Sequence, residues 1–309
     1  MSGTIDKKEV ISDAVLHEKQ VRERARTQAR EQVRTQKQIL VLSGGSVKGI
    51  AHIGALKALE DNMILQNIKI FAGASIGGMI AALYIIGYSP TELMELVELI
   101  DLEIFINLKI NNILDILGLD DCVRFTTAIK KMIVAKNFDE NITFLDLYNK
   151  TNKQLILTTT CVNEKKTHYI SHETYPDLPL IIGIRMTTSL PLIFAPVSYN
   201  NKLFIDGGLM NNYPINIFQK KINKVIGIYL DEKREYCENI NTIESYLLNT
   251  IDCIFEGFTI LSTEKYIKQT IKISFQRLGV FNFNISLDKK QLLYETGYKD
   301  AENYIMSNM

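Results

Sequence analysis

No stretch of this 309-residue sequence approaches the roughly 18 uninterrupted apolar residues of a membrane-spanning helix, so no span is expected. The first forty residues lack a continuous apolar core, so no secretory signal is expected either. Net charge is missing too, because 35 basic and 35 acidic side chains cancel. That balance argues against a general nucleic-acid binder, which gathers positive charge for the phosphate backbone. Cysteine is scarce, at four residues. Cys122, Cys161, Cys237 and Cys253 are scattered at spacings that suit neither a zinc site nor a disulfide scaffold. Reduced structural thiols in a cytosol-like compartment are the expectation, with no metal.

What is present suits a globular body with an appendage. Hydrophobic residues make up 46% of the chain, enough for a sizeable core. Residues 1–37 stand apart from the rest. From Glu18 to Lys37 there are seven Lys/Arg against three Glu, and Val21, Ala25, Ala29 and Val33 recur every four residues. This thin apolar stripe belongs to a basic, partly helical or disordered extension, marginal as an isolated helix. Such a segment is able to dock on the body, pair with a second copy, or lie on an anionic membrane surface. Residues 38–309 carry no internal repeat or linker and read as one domain.

The body opens with a short apolar strand, Gln38 to Leu42, followed by Gly44-Gly45-Ser46-Val47-Lys48-Gly49 and then a helical run from Ile50 to Leu59. A turn of this kind aims several backbone N–H groups at one anion. It fails as a Walker loop, because Ile50 and Ala51 stand where Lys and Ser/Thr belong. It also fails as a dinucleotide loop, because Ser46 occupies the place of the middle glycine. No nucleotide cofactor is therefore expected. An oxyanion hole and a plain structural turn remain. Lys48 reads either as an anion-binding residue or as a solvent-facing lysine at a helix start, and His52 as a helix-face residue rather than a base.

One strand later comes Gly73-Ala74-Ser75-Ile76-Gly77, a G-x-S-x-G. The apolar run Ile68–Ala72 leads in and a small-residue helical run leads out. A strand that delivers serine into a sharp turn opening a helix is the nucleophile elbow of serine acyl hydrolases. Gly73 and Gly77 keep side chains out of that crowded turn, and the helix N-terminus favours developing negative charge.

A serine needs a group to take its proton. The usual order is Ser, Asp/Glu, His, yet no histidine follows His172. His168 and His172 alternate onto one face of an extended segment, and His17 and His52 precede the serine. Lys202-Leu203-Phe204-Ile205-Asp206-Gly207-Gly208 offers something different, an apolar strand ending in a carboxylate. In an α/β sheet a strand's C-terminal end faces the ligand side. Taken alone, Asp206-Gly207 is also an ordinary turn signal.

Taken in order, these segments resemble the patatin-like phospholipase family. Gly44 to Gly49 is similar to its glycine-rich oxyanion loop, Gly73 to Gly77 to its elbow, and Asp206-Gly207-Gly208 to its aspartate motif. Arg185 to Val197 resembles the segment that precedes the aspartate strand, and the likeness extends over residues 38–305. Ser46 departs from a commoner glycine and Lys48 from a commoner arginine, but neither change removes a backbone amide. The resemblance implies a Ser75–Asp206 dyad without histidine, with the oxyanion hole drawn from Gly44, Gly45, Ser46, Val47, Lys48 and Gly49. It also implies a three-layer α/β fold, a mainly parallel central sheet flanked by helices.

The activity so implied is phospholipase A-type cleavage of phospholipids or related acyl lipids, without a cofactor. The competing reading is a noncatalytic lipid- or membrane-binding protein that keeps the fold. Leu93 to Leu119 is rich in Leu and Ile, at spacing that suits amphipathic helices covering the active site or packed on the sheet. Strands are also expected at Gln154–Thr160 and Lys224–Leu230, an extended stretch at Thr270–Phe275, and helices over 243–266 and 288–306. A cytoplasmic protein touching membranes peripherally is the expectation, with a protein activator or self-association left open.

Overall fold

A computed structural model describes residues 36–109, 112–232, 265–275 and 284–308, with isolated positions between 240 and 253. The basic leader, apart from its last two residues, lies outside the described residues, as does almost all of the helix expected over 243–266.

Among the described residues, β1 (Ile39–Leu42), β2 (Ile70–Ala74), β4 (Gln154–Cys161), β5 (Lys166–Ile170), β7 (Val197–Tyr199), β8 (Lys202–Asp206), β9 (Val225–Glu232) and β10 (Thr270–Phe275) form the main sheet. A separate pair, β3 (Gly118–Asp120) and β6 (Leu192–Phe194), forms a second small sheet. The strands β10-β9-β1-β2-β4 are parallel throughout. Parallel strands are covered on both faces, which is why β1 is an unbroken apolar run with every residue buried. Leu40 and Leu42 pack into the larger helical layer, while Ile39 and Val41 pack against Tyr213, Ile215 and Phe218 on the opposite face. The fold is thus the expected α/β layering around a mainly parallel sheet.

The aspartate strand departs from the simple parallel picture. β8 runs antiparallel to β4, pairing Asp206 with Thr159 and Phe204 with Cys161. β5 pairs antiparallel with Leu157 to Cys161, overlapping both β2 and β8 along β4. A strand has only two edges, so β5 must take one while β2 and β8 share the other. Ala74 pairs with Thr158 and Asp206 with the very next residue, Thr159. The C-terminal ends of β2 and β8 therefore meet head-on along a single edge of β4.

Helices α1 (Ile50–Asp61), α2 (Ser75–Ile85), α3 (Pro90–Leu99), α4 (Val123–Ala135), α5 (Phe144–Thr151), α6 (Leu180–Thr188) and α7 (Leu287–Asn308) surround the sheet. The Leu93–Leu119 region, expected to form amphipathic helices, is only partly helical among the described residues. It holds the end of α3, a single 3-10 turn at Leu102–Phe105, a short helix at Asn112–Ile116 and then β3. Leu99, Ile104, Leu108, Leu114 and Leu117 are exposed, Leu99 and Leu114 by more than four-fifths (82% and 87%).

At the C-terminus α7 crosses α1 closely enough that glycine is required on both sides. A Cβ at Gly54 would overlap the Tyr294 carbonyl oxygen, and one at Gly297 would overlap that of Ala51. Gly297→Ala is expected to destabilise the fold by about 1–3 kcal/mol, because overpacking must push the helices apart. Helix propensity alone would make the same change stabilising by about 1 kcal/mol, so a raised urea midpoint would contradict the close crossing.

Candidate active site

Ser75 is the first residue of α2 and follows the last residue of β2 directly. Its φ is +52°, a left-handed value that an L-residue adopts at a cost of about 1–2 kcal/mol. The turn is crowded as the G-x-S-x-G spacing requires. A Cβ on Gly73 would strike the backbone of Gly77 and Gly78, and one on Gly77 would strike the Ser43 carbonyl.

The Ser75 hydroxyl donates to Asp206 Oδ2 at 2.6 Å. The other carboxylate oxygen, Oδ1, accepts the Gly208 N–H at 2.7 Å. Asp206 is 2% exposed. Burial penalises its charged form and lifts the carboxyl from its ordinary value to about 7, while the bonds from Ser75 and Gly208 pull the other way. Desolvation wins, which places the group where a general base works near neutral pH. Among the described residues no histidine is a hydrogen-bond partner of Ser75 or Asp206.

The glycine-rich loop lies against this pair. Gly44 approaches the Ser75 Cβ, and its N–H donates to the Asn212 carbonyl at 3.0 Å. That bond, with the one from the Lys48 N–H to the Gly45 carbonyl at 3.1 Å, occupies two of the six amides expected for the oxyanion set. The Gly45 N–H has no acceptor among the described residues. Ser46 sits at φ +53°, the left-handed region where glycine is at ease, and opens a 3-10 turn over Ser46–Gly49. Lys48 is buried rather than solvent-facing. His52 is likewise fully buried, and burial drives its pKa down to about 4, so the ring is neutral. Its Nε2 donates to the Ser43 carbonyl at 2.8 Å, bracing the residue just before the loop.

Two contacts had no sequence signal of their own. The Thr187 hydroxyl accepts the Ser75 N–H at 2.9 Å, and the Ser189 carbonyl accepts the Asp206 N–H at 2.8 Å. Both lie in the Arg185–Val197 stretch, so its resemblance marked the region without assigning the residues. His168 instead bonds Glu164 and Tyr175, and His172 stacks on Tyr148 at 3.8 Å. Ligand atoms of Cys161, Glu164 and His168 come within 4.8 Å of one another. Its one carboxylate already has protein partners, because Glu164 pairs with Lys166 and Lys202 as well as His168 and its carboxyl is held down at about 2. Among the described residues no helix is long and apolar enough to cross a membrane.

The buried carboxylate carries a stability cost of definite sign. Its folded pKa lies above the unfolded value, so the native state binds the proton more tightly, and stability falls as pH rises between about 4 and 7. Asp206→Asn is therefore expected to raise the melting temperature at pH 8, with the gain shrinking towards pH 4. A lower melting temperature at pH 8 would contradict a desolvated carboxylate.

The family model described as Patatin-like phospholipase matches residues 40–218, a span that includes all three glycine-marked motifs. The uncharacterized protein R571 of Acanthamoeba polyphaga mimivirus is 30% identical over 281 residues, covering 86% of this chain and 93% of its own. The probable lipid hydrolase 463L of Invertebrate iridescent virus 6 is 33% identical over 199 residues, covering 60% of this chain and 64% of that protein. In three dimensions the chain resembles VipD from Legionella pneumophila, with a TM-score of 0.58 at 17% identity, over 88% of this chain and 67% of that one.

Proposed function

The chain belongs to the patatin-like phospholipase family, and from that premise we propose that it is a serine acyl hydrolase of phospholipids or related acyl lipids, of phospholipase A type. One observation carries the reading: the 2.6 Å bond from the Ser75 hydroxyl to a buried carboxylate whose pKa is about 7. An ordinary aspartate, with a pKa near 4, is a poor match for a serine proton. A desolvated one is far better placed.

In the proposed reaction Asp206 takes the Ser75 proton as Oγ attacks the ester carbonyl carbon. The carbonyl oxygen becomes an oxyanion and rests on backbone N–H groups of the glycine-rich loop, Gly45 first. A single such donor is worth about 3 kcal/mol in the transition state. Collapse of the tetrahedral intermediate breaks the ester C–O bond, and the departing alcohol, a lysolipid, takes the proton from Asp206. Water then attacks the acyl-enzyme with Asp206 again as base, and the fatty acid leaves as Ser75 regains its proton. His52, neutral and bonded to the Ser43 carbonyl, holds the loop rather than moving protons. The basic leader is the segment proposed to meet an anionic membrane surface, in the cytoplasm.

Fatty-acid release from mixed phospholipid vesicles tests the proposal. Turnover should rise with pH around a midpoint near 7, because only the carboxylate form of Asp206 accepts a proton. Ser75→Ala should fall to background, and Asp206→Asn should lose about 10²–10⁴-fold, the usual share of a general base. Folded wild-type protein that binds vesicles yet releases no acyl group would favour the noncatalytic lipid-binding reading.

A further inference from the structure

We propose that Thr187 is a positioning residue for Ser75, its hydroxyl bridging the Ser75 N–H and the Thr158 carbonyl where the C-terminal ends of β2 and β8 meet. The inference rests on the Ser75–Asp206 reading and adds a residue to it.

Along the shared edge of β4 the ladder changes hands between Thr158, opposite Ala74, and Thr159, opposite Asp206. At that seam the chain of β2 leaves the strand at Ser75, whose φ is +52°. Two backbone groups face the seam, the Ser75 N–H and the Thr158 carbonyl. Thr187, fully buried at the end of α6, answers both with one atom: Oγ1 accepts from Ser75 N at 2.9 Å and donates to Thr158 O at 2.6 Å.

A hydroxyl has one proton and two lone pairs. Spending the proton on Thr158 O aims a lone pair at Ser75, so the two bonds orient each other. Leaving either backbone group unpartnered would cost about 1–3 kcal/mol, and relaxation of the left-handed Ser75 would be the easiest escape. The same turn holds the other half of the dyad, because the Ser189 carbonyl accepts the Asp206 N–H at 2.8 Å. Thr187 touches no reacting atom. It sets where Oγ of Ser75 points.

Steady-state hydrolysis of a short-chain acyl ester by wild type, Thr187→Val and Thr187→Ser tests this, with melting temperatures recorded for each. Valine keeps the shape and loses the hydroxyl, whereas serine keeps the hydroxyl and loses a methyl. The expected result is a kcat lowered about 10–100-fold in Thr187→Val with KM within about threefold, since misplacement of a reacting group by an ångström costs on that order. Thr187→Ser should stay within about threefold of wild type in both constants. If the valine variant does not fold, Thr187→Ala replaces it with the same expected loss. A hydroxyl-free variant with wild-type kcat overturns the proposal, as does a serine variant that falls as far as valine, which would make the methyl's packing responsible. Wild-type protein inert towards every acyl ester overturns the hydrolase reading itself, and with it this role.

Discussion

Everything at the candidate site depends on two strands ending against each other on one edge of β4. β2 runs up that edge and stops at Thr158, and β8 runs down it and stops at Thr159. Neighbouring rungs of a ladder lie within a few ångströms. Residues 131 positions apart in sequence are thereby brought to hydrogen-bonding distance without any long side chain reaching across. A short residue is needed at each end, and serine and aspartate are short. The same arrangement also creates the difficulties of the site: a left-handed serine, a break in the ladder, and a carboxylate cut off from water.

The carboxylate's position decides its chemistry. Two hydrogen bonds favour the charged form of Asp206 and burial disfavours it, and the outcome is a pKa near 7 rather than near 4. A fold that buries an aspartate this deeply sacrifices stability at neutral pH, which is the pattern of a group kept for its reactivity. Around it the glycine-rich loop is fixed from three directions. Ser43 is held by the Ile228 carbonyl and by His52, its hydroxyl accepts the Leu230 N–H, and Gly44 is tied to Asn212.

Much of this was legible in the sequence because it is local. The elbow, the glycine-rich turn and the Asp206-Gly207-Gly208 ending are short segments whose backbone needs particular residue types. Strands such as Gln154–Thr160 and the helix over 288–306 announced themselves through apolar runs and periodicity, and were found within one or two residues. What escaped depends on partners far along the chain. An apolar run does not reveal its direction beside a neighbour, so the antiparallel course of β8 was hidden. Thr187 and Ser189 looked like ordinary small polar residues, since their backbone partners lie 112 and 17 positions away. Lys48 read by its type as either anion-binding or solvent-facing, and it is buried. The leucine-rich stretch from Leu93 has helical spacing, but β3 takes its end into a separate sheet and leaves several of its leucines exposed.

The central claim is that Asp206 makes Ser75 a nucleophile, and the most direct measurement is covalent capture of that serine. Wild-type protein and Asp206→Asn would be treated with a fluorophosphonate between pH 5 and 9, and the modified residue and its rate of formation followed by mass spectrometry. The account predicts one adduct, on Ser75, forming faster as pH rises through about 7 and almost abolished in the asparagine variant. Labelling of Ser75 at the same rate in both proteins, or with no dependence on pH, would contradict it.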